Sequence, residues 1–272
     1  MSNFLELARS RRSVRTFDGK EPDTAMIKEL KEFSEEITNP YGIPVKFVFL
    51  YKDEHKLSSP VLTGEKLYVA AIVDKGQYAE EAYGYSFEAL LMRAHELGLG
   101  TVWIGGTMPR DKFENAAGLS TNQIMPCISP VGKAANKMSV KETLMRKGVK
   151  ADSRFKFVEM FFDGDFATPL TASSAMGKGI YNALECVRLA PSAVNKQPWR
   201  VVVTDRMAHF YEKHDKGYIT PDYDLQKIDL GIAMYHFEKD LALDGRKAAL
   251  EIENPGISTP SDVDYVASYK WQ

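Results

Sequence analysis

Two stretches of this chain follow one plan, and that repetition restricts the fold more than any single motif. A helical segment, MIKELKEFSEE (26–36), is followed by Pro44 and the strand-like run PVKFVFLYKD; a second, IYNALECVRLA (180–190), is followed by Pro198 and PWRVVVTDRM. Gly84 and Gly98 bracket a long helical pattern at the same separation as Gly231 and Gly245 around another, DLGIAMYHFEKDLALDG. Two anchors in matching order point to two related halves. Residues 164–179, GDFATPLTASSAMGKG, are rich in small and polar side chains and read as the join. A first half over 1–165 and a second over 166–272, closely packed together, are therefore expected.

Inside this frame, strands are expected at VKFVFLY (45–51), KLYVAAIVD (66–74), FKFVEMFF (155–162) and WRVVVTD (199–205). In YSFEALLMRAHELGLG, Phe87, Leu90, Leu91, Ala94 and Leu97 fall on one helical stripe, and Gly98 supplies the stop. Strand-like runs alternating with helical periods favour an α/β or α+β layer fold over a bundle or a sandwich.

Bulk properties remove several classes of function. With 272 residues and 44% hydrophobic side chains, the chain can bury one large core or two smaller ones. A formal net charge of -2 and a pI of about 6.3 leave no overall positive field, so neither nucleic acid nor a membrane surface is an expected partner. Cys127 and Cys186 are too few and too far apart for a disulfide scaffold or a four-ligand zinc site, and are expected as reduced structural thiols. The segment MSNFLELARSRRSVR turns basic after its apolar residues, the reverse of a secretory signal, and no apolar run reaches spanning length. A cytoplasmic location is expected. His55, His95, His209, His214 and His236 show no metal-ligand spacing and no paired acid, so no metal is expected.

Three segments carry candidate chemistry. SRRSVRTF (10–17) sets Arg11, Arg12 and Arg15 with Ser13 within about one and a half helical turns, a density that suits a phosphate dianion and equally a solvated basic helix end. APSAVNKQPWRVVV (190–203) breaks a helix at Pro191, exposes Ser192, Asn195 and Gln197 in a polar loop, and enters a strand after Pro198. Such a loop is either a platform for the amide edge of a flat heterocycle or an ordinary turn. LGLGTVWIGG (97–106) has glycines at 98, 100, 105 and 106, which admit backbone close to a ligand or merely stop a helix and bend the chain. These glycines follow a helix instead of opening one, so the dinucleotide-binding fingerprint is not met.

Together, RRSVR, ELGLGTVWIGG and APSAVNKQPW resemble the FMN-dependent nitroreductase family over nearly the whole chain, and within it the smaller group that carries both halves in one chain. The resemblance implies an α+β fold, a nitroreductase-like sheet packed with helices in two pseudo-symmetric halves. Ordinary members are homodimers in which each FMN takes phosphate ligands from one subunit and the polar loop from the other. Here the first half has FSEEITNPYGIPV in place of that loop, and the second has TASSAMGKGIYNALE in place of the arginines. A fused dimer with one complete FMN site is thereby implied. Arg11, Arg12, Ser13 and Arg15 would hold the phosphate, with Arg154 as a further contact. Ile104, Gly105 and Gly106 would lie along the flavin ring, and Pro191, Ser192, Ala193, Asn195 and Gln197 would reach it from the second half. The implied activity is hydride transfer from NADH or NADPH to the flavin and then to a small-molecule acceptor such as a nitroaromatic or a quinone, with no catalytic side chain. Fusion removes the need for a dimer, so a monomer is expected. A non-catalytic FMN carrier or sensor is the alternative reading, and a relative that has lost its flavin is a third.

Overall fold

A computed structural model describes residues 4–272, so the first three residues of the N-terminal segment lie outside the described residues. The chain divides into two compact units: Arg11–Asp152, and Ser153–Gln272 together with the described part of Met1–Ser10. The expected boundary near 165 thus falls inside the second unit. Helix α1 (Phe4–Ser10) opens the chain and belongs to that second unit.

The first unit contains α2 (Thr24–Glu36), β1 (Val45–Tyr51), α3 (Lys52–His55), β2 (Leu67–Asp74), α4 (Ala79–Glu96), β3 (Gly100–Thr101), α5 (Arg110–Ala117), β4 (Gln123–Ile124), β5 (Ile128–Gly132) and α6 (Val140–Gly148). Its sheet runs β1-β2-β5-β3, antiparallel throughout, with β4 also paired to β2. LYVAAIVD is buried at every position before Asp74, as a strand covered on both faces requires, which explains its unbroken apolar run. Asp23 caps α2 by accepting from the Ala25 amide at 2.8 Å. Tyr68 meets Phe113 edge-on at 4.9 Å in a cluster that also includes Val14, Phe17, Ile72 and Ile128.

In the second unit follow α7 (Phe157–Met160), β6 (Phe161–Asp163), α8 (Ala172–Gly177), α9 (Tyr181–Leu189), a 3-10 turn (Ala193–Asn195), β7 (Trp199–Thr204), β8 (Met207–Lys213), α10 (Leu225–Leu243), β9 (Ala248–Glu251) and β10 (Val263–Trp271). The sheet order is β6-β7-β8-β10-β9. Setting β6 aside, this is the order of the first unit: a strand, its antiparallel neighbour, a long helix, a short outer strand, then a last strand inserted between. The repeat in sequence is therefore a repeat in topology, and the α+β expectation holds. β6 adds in parallel to the free edge of β7, pairing Phe161 with Val201.

The repeated glycines have a different role from the one read in sequence. Gly84 and Gly231 lie inside α4 and α10, while Gly98 and Gly245 follow the helices with φ of +79° and +75°. Only the second pair is punctuation, and it needs glycine for the left-handed turn. FKFVEMFF, expected as a strand, starts as α7, because the Lys156 amide donates to Glu159 Oε2 at 2.7 Å and closes a helical turn. The expected join also folds: Leu170 and Ala175 are fully buried, and the Leu170 amide donates to Phe161 O at 2.9 Å. α1 buries Phe4, Leu5 and Ala8, with Phe4 edge-on to Tyr235 of α10 at 5.9 Å. Among the described residues, no helix is long and apolar enough to cross a membrane.

Candidate functional site

The arginine-rich segment is not helical, which corrects the spacing argued from sequence. α1 ends at Ser10, and the chain then pairs beside β3: Ser13 bridges Thr101, and the Val14 amide donates to Thr101 O at 2.9 Å. Residues two apart in a segment paired in this way share a side. That grouping sets Arg11, Ser13 and Arg15 together and turns Val14 into the core, where it is 4% exposed. Gly100 permits the arrangement, since a Cβ there would stand 2.8 Å from Val14 Cγ2.

The arginines are held in surroundings that leave their charge incompletely answered. Arg11 Nε, Arg15 Nε and Arg15 Nη1 are buried without a hydrogen-bond partner. Burial pulls the Arg11 guanidinium below the ordinary arginine range; Glu88 opposes the shift and Arg146 adds to it. Arg15 is pulled the same way by burial, with Glu142 opposing and Arg146 reinforcing. Both remain cations at neutral pH, because guanidinium titrates far above it. Glu142, 1% exposed, accepts from Arg12 Nη1 at 3.3 Å and from Thr16 Oγ1 at 2.7 Å. Glu88, fully buried, accepts from Trp103 Nε1 at 2.8 Å. Arg11, Arg12 and Arg15 thus answer to two buried carboxylates, while Arg146 pairs with the exposed Asp152. Orphaned guanidinium N–H groups in such a cluster fit an anion of more than one charge, as a phosphate monoester is.

Beyond β3, Ile104 exchanges two backbone bonds with Ile128, at 2.9 and 2.8 Å. Gly105 is pressed against Cys127, whose sulfur would be 3.2 Å from an added Cβ, whereas Gly106 faces open space. Arg110, on α5, fixes this turn by donating to Met125 O at 3.0 Å and Pro126 O at 3.2 Å. Gly100 and Gly105 therefore answer to protein neighbours, and Gly106 is the position where backbone is uncovered.

The second unit assembles the polar loop. Ser192 Oγ accepts from the Gln197 amide at 2.8 Å, closing the turn, and Val194, Asn195 and Gln197 have φ of +50°, +59° and +52°. Three non-glycine residues in the left-handed region cost about 1–3 kcal/mol each, strain that clusters at ligand sites. Asp229 of α10 holds the loop from beneath, both oxygens accepting from the Ala193 amide at 3.0 and 3.1 Å. Burial pushes the Asp229 carboxyl well up; the Ala193 bond opposes this, and Asp224 and Glu212 add to it. Asn195 Nδ2 donates to Ser153 O at 3.0 Å, and Gln197 Oε1 accepts from the Phe155 amide at 3.0 Å. Arg154 donates to Asn195 Oδ1 and Leu189 O, each at 3.2 Å, which places it with the loop.

The structure thus collects the expected residues in two sets: Arg11, Arg12, Ser13, Arg15 and Ile104–Gly106 in one unit, and Arg154 with Ser192, Ala193, Asn195 and Gln197 in the other, Pro191 leading into the loop. Sequence reading missed Arg146, Glu142, Arg110 and Asp229. An Asp between Ile228 and Leu230 of an apolar helix was a readable sign, as was the four-residue spacing of Glu142 and Arg146. One further expectation is corrected, since His214 does have acidic partners: Nδ1 lies 2.9 Å from Glu212 and Nε2 2.8 Å from Asp264. Burial lowers its pKa, but the two carboxylates outweigh that and raise it overall.

Comparison with known proteins gives a consistent picture. A sequence profile for the family described as "Putative TM nitroreductase" matches residues 3–240. A crystal structure of a "putative nitroreductase" from Thermotoga maritima superposes with a TM-score of 0.62 at 17% identity, covering 99% of this chain and 94% of that one. A second structure, described as an oxidoreductase containing FMN, gives a TM-score of 0.50 at 17% identity over 61% of this chain and 93% of its own. No curated protein matches the chain by sequence.

Proposed function

Because the chain belongs to the TM nitroreductase family, we propose that it is an FMN-dependent oxidoreductase, taking hydride from NADH or NADPH and passing electrons to a nitroaromatic or quinone-like acceptor. The carrying observation is the arginine cluster of the first unit, with its unpartnered, buried guanidinium nitrogens. In this reading Arg11, Arg12, Ser13 and Arg15 receive the FMN phosphate, and the sheet pairing that fixes Val14 holds them in place before it arrives. Preorganised donors of this kind stabilise a bound anion without reordering cost.

Held by these residues, bound FMN would supply the redox chemistry between nicotinamide and acceptor. The protein's part is binding, orientation and charge. Ile104–Gly106 and the loop Pro191–Gln197 are assigned to the flavin ring, with the uncovered backbone at Gly106 as a donor toward negative charge on it. Asp229 keeps the strained loop in shape from below. Arg154, expected at the phosphate, is assigned to steadying Asn195. No side chain is required as acid or base. The division of ligands between the halves, and the repeated sheet order, support a chain equivalent to a fused dimer with one FMN.

Anaerobic titration of the FMN-loaded protein with NADH or NADPH tests the activity. Bleaching of the flavin band, and its return on adding a quinone, is expected. A yellow protein that neither nucleotide bleaches would leave an FMN carrier or sensor in place of an enzyme.

A further inference from the structure

α6 is built the wrong way round for an ordinary surface helix. Its buried residue is Glu142, while Val140 and Leu144 are 78% and 64% exposed. An amphipathic helix normally turns its apolar stripe inward. Here the inward face is ionic: Glu142 and Arg146 are four residues apart and so lie on one side of the helix, and the Arg146 side chain is only 13% exposed. Hydrogen bonds of Ser139 and Glu142 seat that face on the arginine segment. Glu142 takes Arg12 and Thr16. The Ser139 amide donates to Thr16 Oγ1 at 3.1 Å, and Ser139 Oγ in turn caps the helix through the Glu142 amide, also at 3.1 Å. Arg146 pairs with Asp152, which is 82% exposed, so that ion pair is largely open to solvent screening.

Burial lowers the proton affinity of Arg11 and Arg15, and the charge of Arg146 adds to this as a like-charge repulsion. No apolar residue of the helix is fully buried to offset that repulsion. A dianion among the four guanidinium groups reverses the sign of the interaction, because each N–H donor then faces negative charge.

We propose that α6 is the closing wall of the phosphate site, with Arg146 as a fourth guanidinium ligand, and that the helix is fastened when the phosphate of FMN enters. This rests on the phosphate reading of Arg11, Arg12 and Arg15 given above. The ligand class is a phosphate monoester or free phosphate, and riboflavin, which has the ring without the phosphate, is the control.

The test measures affinities of FMN and riboflavin by flavin fluorescence for the full chain and for R146A and R146Q, with hydrogen exchange followed over residues 143–149. Losing one charged hydrogen bond weakens FMN about ten- to a hundredfold, leaves riboflavin unchanged, and so collapses the preference between them. Exchange across α6 slows when FMN or inorganic phosphate is added to the unsubstituted chain, and riboflavin has no such effect. Equal FMN-to-riboflavin preference in the substituted and unsubstituted proteins overturns the inference while leaving the phosphate reading intact. An unsubstituted protein that shows no preference for FMN over riboflavin overturns both. Should R146A prove unfolded by circular dichroism, R146Q, which keeps the aliphatic stem against the protein, carries the comparison.

Discussion

Replacing Asp229 separates two roles of one buried carboxylate. With alanine, the Ala193 amide loses both of its acceptor oxygens, and leaving that donor unpaired costs roughly 1–3 kcal/mol. For a chain of this size that lowers the melting temperature by about 2–12 °C, at ~2–4 °C per kcal/mol. With asparagine, an acceptor oxygen stays in place and the charge is removed. Burial, Asp224 and Glu212 hold the native carboxyl protonated above the pH at which the unfolded chain has released its proton. The native state then binds more protons than the unfolded one, so stability is full below the ordinary carboxylate range and falls as pH rises through the raised native pKa. Asp229→Asn is therefore expected to match the unsubstituted protein near pH 4 and to gain on it progressively toward pH 8, while Asp229→Ala is less stable at pH 4. Thermal unfolding followed by circular dichroism at several pH values reads both. An asparagine variant that loses stability relative to the unsubstituted protein as pH rises would refute the reasoning.

Gly100→Ala puts a methyl group 2.8 Å from Val14 Cγ2; the overpacking costs about 1–3 kcal/mol and displaces the arginine segment, so FMN affinity measured by fluorescence falls with stability. Arg12→Ala is expected to weaken FMN by roughly 1.5–3 kcal/mol and Asn195→Ala by about 0.5–1.5 kcal/mol although they lie in different units, which titration of each variant checks. Cys127 and Cys186 are both buried, and burial beside Asp240 pushes the Cys186 thiol far up. Neither thiol should react with a disulfide reagent until denaturant is added; a fast native reaction would contradict this placement.

Much of the fold was legible because it follows from short-range pattern. The strands at 45–51 and 199–204 fall where apolar β-branched and aromatic runs follow a proline, and the left-handed turns at Gly98 and Gly245 end helices of clear period. What escaped was set by contacts distant in sequence. Nothing near Phe4 tells that α1 packs with α10, whose Tyr235 lies more than two hundred residues away along the chain. FKFVEMFF has strand composition, yet one carboxylate at Glu159 turns its start into a helix. In the candidate site, the arginines and the polar loop stood out by density and by prolines. Arg146 and Asp229 left fainter signs, because a basic residue near a helix end and an acid near a helix start are common on solvated surfaces, and the folded chain shows how far each is buried.

One FMN per chain, its phosphate on the arginine cluster, is the proposal on which the rest depends. Titration of the purified protein with FMN, read by visible absorption and by the flavin-to-chain ratio after gel filtration, addresses it directly. The account predicts a yellow protein that saturates at one FMN per chain. Saturation at two equivalent sites per chain, or a protein that stays colourless in excess FMN, would contradict it.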